Sequence, residues 1–237
     1  MTSYELAQII IWVGLFLAVA GPVHECAHAY AAWRLGDGTA KLFGRLTLNP
    51  IVHFDPIGGL MLAFSAFASM GTFAFGWAKP TPVNPYNLRG AHADSLVALA
   101  GPASNLVLAA IFAIVLRAIG GGNIVIHDGQ LYQFFYNGQV VDSLPTPLGL
   151  ASLVCYFGVL LNVLLAIFNL IPIPPLDGSH ILYDLLSPRT VHDIRPYLDQ
   201  YGFMILILMI IPLGGTSFLG RIFDTVGWPV ITLLVGS

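Results

Sequence analysis

Residues 6–33 form an apolar stretch long enough to cross a bilayer, yet its last turns carry His24-Glu25-Cys26-Ala27-His28. About 20 apolar residues suffice for a helix to span the hydrocarbon. Ionisable groups at that depth are costly, so a cluster of them there points to chemistry. On a helix, His24 and His28 lie one turn apart on one face. Both imidazoles then reach one metal ion, while Glu25 stands beside it as a base. The plainer alternative is a pair of helical histidines satisfied by their neighbours. Cys26 turns to a different face and reads as a small packing residue. Gly21-Pro22, just upstream, predicts a kink that loosens the packing and admits water.

Composition fits the same class. Of 237 residues, 57% are hydrophobic and 9% charged, and the mean hydropathy is +0.80, values of a polytopic membrane protein. The net charge is −3 and the nine Lys and Arg are scattered singly, which excludes a nucleic-acid surface. Two cysteines, Cys26 and Cys155, give no disulfide framework. No Lys or Arg precedes the first apolar stretch, so the basic start of a signal peptide is missing and a retained helix is expected. Further apolar stretches lie at about Ile57 to Phe75, Ser95 to Ile119, Leu148 to Ile171, Gly202 to Leu213 and Val226 to Val235. Pro212-Leu213-Gly214-Gly215 leaves open whether the last two are two helices or one broken element. The segment 120–147 reads as a polar loop. With no internal repeat or linker, residues 1–237 read as one membrane domain.

A second motif, Asn169-Leu170-Ile171-Pro172-Ile173-Pro174-Pro175-Leu176-Asp177-Gly178, closes the Leu148 to Ile171 stretch. Its prolines break the helix and leave irregular backbone, tolerated at membrane depth only where it is buried in protein or lines a wet cavity. Asp177 either caps the helix that follows or supplies the third donor that a catalytic zinc site needs after two histidines. The ligand reading is the favoured one.

Topology gives a separate constraint. For Asp177 to meet His24 and His28, the helices at Leu6–Trp33 and Leu148–Ile171 must run in the same direction, so an odd number of crossings separates them. Ile57 to Phe75 holds Gly58, Gly59 and Gly71, with Pro80, Pro82 and Pro85 close behind. It is expected to dip in and return, as a short helix followed by an extended strand from about Thr72 to Val83. Arg34, Lys41, Arg45, Lys79, Arg89, Arg189 and Arg195 then share the cytoplasmic side, with Arg117 and Arg221 opposite and the N-terminus outside. The expected fold is an all-α polytopic membrane protein with about five to six membrane-embedded helices and a small re-entrant β-strand region.

Together these motifs resemble the site-2 protease family of intramembrane zinc metalloproteases, peptidase family M50, whose hallmarks are an HExxH helix and a distant NxxPxxxxDG segment. His24, Glu25 and His28 match the first; Asn169, Pro172, Asp177 and Gly178 match the second. Gly44-Arg45-Leu46-Thr47-Leu48-Asn49-Pro50 followed by His53, Asp55 and Pro56 is similar to the minimal bacterial branch without a PDZ domain. So are Gly76-Trp77-Ala78-Lys79-Pro80 and Gly101-Pro102-Ala103-Ser104-Asn105. His180 stands where relatives often carry arginine.

The resemblance implies one Zn2+ per chain held by His24, His28 and Asp177, with Glu25 moving the proton. It implies hydrolysis of peptide bonds within or near transmembrane segments of membrane-anchored substrates, for regulated intramembrane proteolysis or clearance of signal-peptide remnants. The setting is a prokaryotic cell membrane with the site towards the cytoplasm. Asn169 and Asn105 are expected to hold the substrate backbone or the oxyanion, or else to join helices by hydrogen bonds. His53 and Asp55 either order the cytoplasmic loop, the favoured reading, or gate the site. The partners are a membrane-anchored protein substrate and the lipid bilayer, with no nucleic acid; oligomeric state is left open. Two other classes stay in view. A catalytically silent membrane binding protein would not need Glu25, and a metal transporter would need polar residues along outer helix halves that are nearly devoid of them.

Overall fold

The computed structural model describes residues 3–68, 75–119, 124–127, 130–136, 139–140, 147–211 and 215–236. The first apolar stretch is one continuous helical rod: α1 (Ser3–Leu15), a π-turn (Phe16–Ala20) and α2 (Gly21–Arg34). The expected kink at Gly21-Pro22 takes the form of this π-turn, in which the Gly21 N–H reaches back to Phe16 O. Proline has no N–H, and its ring presses on the carbonyl four residues before it; a turn widened by one residue relieves that clash. The same device recurs where a π-turn (Phe223–Gly227) precedes Pro229.

Short helices α3 (Thr39–Leu42) and α4 (Pro50–His53) lead to α5 (Pro56–Ala68), and a loop then leads to α6 (Ala93–Ala118). Next come strands β1 (Ile124–His127), β2 (Gln130–Tyr136) and β3 (Gln139–Val140), then α7 (Pro147–Asn169) and α8 (Gly178–Leu185). The chain closes with α9 (Pro188–Ile210), α10 (Phe218–Ile222), the second π-turn and α11 (Trp228–Val235). Among the described residues, four helical stretches are long and apolar enough to cross a membrane: Leu6–Arg34, Ala93–Ala118, Gly149–Asn169 and Phe218–Val235. The fold is all-α and membrane-type. With 13 residues, α5 is about 20 Å long, short of a ~30 Å hydrocarbon core. Among the described residues, one helix of spanning length, α6, lies between the first rod and α7, a number compatible with a shared direction. Among the described residues the two C-terminal apolar stretches lie on separate helical elements: α9 ends at Ile210 and α10 begins at Phe218. The first half of α9 carries Arg189, Asp193, Arg195 and Asp199, so its apolar part is only the stretch from about Gly202.

Two local expectations are corrected. Within the segment read as a polar loop at 120–147, the described residues 124–127, 130–136 and 139–140 pair as a small antiparallel sheet in the order β1-β2-β3. The strand expected at about Thr72 to Val83 lies partly outside the described residues, and its described part, 75–83, has no strand pairing. Chemistry explains the second. Pro80 and Pro82 have no N–H to offer a ladder, while the Lys79 N–H goes to His53 O and the Thr81 N–H to Glu25 Oε2.

α6 is the spine of the molecule, packed against α2, α7 and α8. Small residues let it approach α7: Ala109 and Ala113 are buried beside Val159 and Val163, and a Cβ at Gly158 would collide with the Phe112 ring. Close approach of this kind is how helices associate in lipid, where apolar burial gives no preference for protein over chain tails. A larger apolar cluster joins Phe16, Leu116, Phe157 and Leu161. It anchors the rod that carries His24.

Candidate metal centre

Three side chains distant in sequence meet between α2, α6 and the start of α8. His24 Nε2 and His28 Nε2 are 3.0 Å apart, and Asp177 Oδ2 lies 3.2 Å from the first and 3.4 Å from the second. Among the described residues this is the one cluster of three or more potential metal-ligating groups. Donors bonded to a tetrahedral zinc at ~2.0–2.1 Å stand about 3.3–3.4 Å from one another. The observed triangle is close to that.

Hydrogen bonding decides what these atoms offer. His24 Nδ1 lies 2.6 Å from Asn105 Oδ1, and His28 Nδ1 lies 2.7 Å from Val97 O. Both partners accept, so both Nδ1 atoms carry the proton and both Nε2 atoms present a lone pair. Asn105 is oriented in turn: its Nδ2 donates to Asn162 Oδ1 at 2.8 Å, and Asn162 Nδ2 donates to Gly158 O at 2.8 Å. Asp177 Oδ2 is buried with no hydrogen-bond donor. Three lone-pair atoms converging without a hydrogen between them repel unless a cation sits among them, so the residues fit a bound zinc. Partners that fix the tautomer of a metal-binding histidine belong to such a site. α6 makes room for it: a Cβ at Gly101 would collide with His28 Nε2 and crowd His24 Cε1.

Glu25 sits beside the triangle with its carboxylate oriented by Thr81. The Thr81 N–H donates to Glu25 Oε2 at 2.7 Å, and Thr81 Oγ1 donates to Glu25 O at 2.9 Å. These groups open on a cavity of about 1100 Å³ whose walls include Phe16, Met61, Phe75, Trp77, Phe168 and Phe203. One wall is the hairpin of α5 and residues 75–81. It closes tightly because Gly58 and Gly76 leave no room for a Cβ against Trp77 and Leu62. Buried Arg45 ties the hairpin to the loop before it, donating from Nη1 to Val52 O at 2.7 Å and to Lys79 O at 3.3 Å.

The remaining expected residues separate by position. Asn169 lines the cavity, its Nδ2 donating to Leu165 O. Asn105 is wholly buried, its amide shared among His24, Asn162 and Ala20 O. That placement suits holding His24 and leaves nothing with which to grip a substrate or an oxyanion. His53 is buried at the end of α4, its Nε2 donating to Thr47 O and its carbonyl accepting from Lys79. Asp55 caps α5, its Oδ1 accepting from Gly58 N at 2.7 Å. Neither lines the cavity. Sequence reasoning missed Asn162 and Thr81. A lone asparagine in the middle of an apolar span was the available signal for Asn162; nothing local marked Thr81.

Residues 12–213 match the model of peptidase family M50. The protein named "Putative zinc metalloprotease YwhC" of Bacillus subtilis is 36% identical over 216 residues, covering 89% of this chain and 85% of the relative. "Putative zinc metalloprotease Rip2" of Mycolicibacterium smegmatis is 32% identical over 227 residues, covering 95% of this chain and 74% of the relative. A Rip2 of Mycobacterium tuberculosis is 26% identical over 232 residues. No solved structure gives a significant match.

Proposed function

The chain belongs to peptidase family M50 and is a multi-pass membrane zinc metalloprotease; on that premise we propose that it hydrolyses peptide bonds within or near transmembrane segments of membrane-anchored proteins. One zinc per chain is held by His24, His28 and Asp177. The observation that carries the reading is the convergence of three lone-pair donors, with Glu25 beside them, on the floor of an apolar cavity.

Zinc in such a set supplies Lewis acidity, polarising a carbonyl and lowering the pKa of a water to about 7. The chain's own groups do the rest. Thr81 holds Glu25 Oε2, so Oε1 takes the proton from water and returns it to the leaving amine nitrogen. Asn105 and Val97 O keep both histidines in the ligating tautomer. Asn169, on the cavity wall, contacts the substrate backbone. A helical substrate has its carbonyls hydrogen-bonded, so it unwinds before it is cut. Strand addition beside residues 75–83 offers an unwound segment new partners. At Lys79–Pro82, however, the two N–H groups are taken and the two prolines have none, so the substrate pairs there only by donating its own N–H groups. The site faces the cytoplasmic side of a prokaryotic cell membrane, with the N-terminus outside.

The test is cleavage of a single-span membrane reporter co-expressed with the full chain. Glu25→Gln should lower cleavage by about 10²- to 10⁴-fold while bound zinc stays at the wild-type level. Equal cleavage by the Gln variant would contradict the assignment and favour a silent binding protein.

A further inference from the structure

The third zinc donor arrives on an element that cannot hold itself in place. α8 has eight residues, far below the length at which an isolated helix is stable. Prolines 172, 174 and 175 deprive it of helical continuity with α7. Its N-terminus is pressed onto the end of α7, since a Cβ at Gly178 would collide with Leu170 O and Ile171 O. Asp177, His180 and Asp184 follow at i, i+3 and i+7, a single stripe along the helix. That stripe meets the start of α6 at two points. His180 Nδ1 lies 2.8 Å from Asp94 Oδ2. His92 Nδ1 lies 2.8 Å from Asp184 Oδ2, which also accepts from Ser95 Oγ at 2.6 Å. The pairing is reciprocal, with an acid on α6 facing a histidine on α8 and a histidine before α6 facing an acid on α8.

We propose that these two contacts form a latch that sets where α8 delivers Asp177, so that His92, Asp94, Ser95, His180 and Asp184 are positioning residues of the metal site. The inference rests on the zinc reading above. The same α6 that orients His24 through Asn105 and His28 through Val97 O thereby also gauges the third donor. Asp94 and His180 are half-exposed and His92 is mostly exposed, so each point is individually weak. Two weak points on one short helix add to a fixed position that either alone would not give.

The experiment measures zinc retention against a chelator in purified full-length protein. Asp94→Ala and Asp184→Ala should each weaken retention by about two- to fivefold, with the double variant falling short of the product of the two because both contacts hold one helix. Exchanging the first pair, Asp94→His with His180→Asp, should bring retention back to within about twofold of wild type, a rescue that a general packing role would not produce. Ser95→Ala, too mild to unfold the chain, should weaken retention in the same direction. Wild-type retention in the three single variants, or an exchange variant no better than Asp94→Ala, overturns the latch. Asp177→Ala separates the two claims. If it loses zinc while the latch variants keep theirs, only the latch fails; if it keeps zinc, the ligand reading fails.

Discussion

His24 can offer a lone pair to a metal only while something else holds its proton, and Asn105 does so from the far side of the ring. The relay from Gly158 O through Asn162 and Asn105 to His24 is buried throughout. Truncating it leaves unpaired polar groups as well as a free-turning imidazole. Asn105→Leu is therefore expected to weaken zinc affinity by about 10- to 100-fold, measured by chelator competition on the purified protein. Asn105→Asp, which still accepts from Nδ1, should do less damage. Unchanged affinity in Asn105→Leu would show that the relay is incidental. The role could not be read from sequence. An asparagine on an apolar helix looks the same whether it faces a cavity or a neighbouring helix, and the choice is made by α7, through Asn162. His24, Glu25 and His28 were legible because their relation is local, one helical turn, and needs no partner to define it.

At the scale of elements, α6 acts as a template on which α2 and α8 are set, and α8 is the part held most lightly. His180 titrates above the usual histidine range. The hydrogen bond that His180 donates to Asp94 on α6 is the main cause, burial opposes it, the Asp94 charge adds to it, and Arg195 on α9 works against it. A folded-state value raised in this way contributes stability that is complete below the unfolded value. The contribution is lost as pH rises through the folded one. The thermal midpoint of the detergent-solubilised protein should accordingly decline on the alkaline side of the histidine range, and His180→Arg, whose charge does not titrate there, should flatten that decline. Identical alkaline limbs in the two proteins would show that the His180–Asp94 contact holds nothing. Elements differed in how plainly the chain announced them. Apolar runs of membrane length gave α1–α2, α6 and α7. The break at Gly21-Pro22 was visible, but its form as a π-turn depends on how the rod packs. The described part of the strand expected at 72–83 is unpaired, its Lys79 and Thr81 donors belonging to His53 and Glu25, partners that no local pattern reveals.

Across the whole molecule, the fold's task is to bring Asp177 to His24, more than 150 residues away in the chain. An odd number of crossings between their helices is the condition for that. Among the described residues one helix of spanning length lies between them, α5 being shorter, which is compatible with it. This much followed from hydropathy and from the two motifs. What could not follow was the cavity's closure by the α5 hairpin, which depends on Gly58 meeting Trp77 and Gly76 meeting Leu62. Nor could the pairing of β1, β2 and β3, which lie in a segment without long periodicity. The account stands on one claim, that two motifs far apart in the chain make one metal site. It is tested most directly by the zinc content of the purified full-length protein beside that of Asp177→Ala. The account predicts about one zinc per wild-type chain, as three protein donors at one catalytic site require, and its loss in the variant. No zinc in a folded, zinc-supplied wild type, or wild-type zinc content in Asp177→Ala, would contradict it.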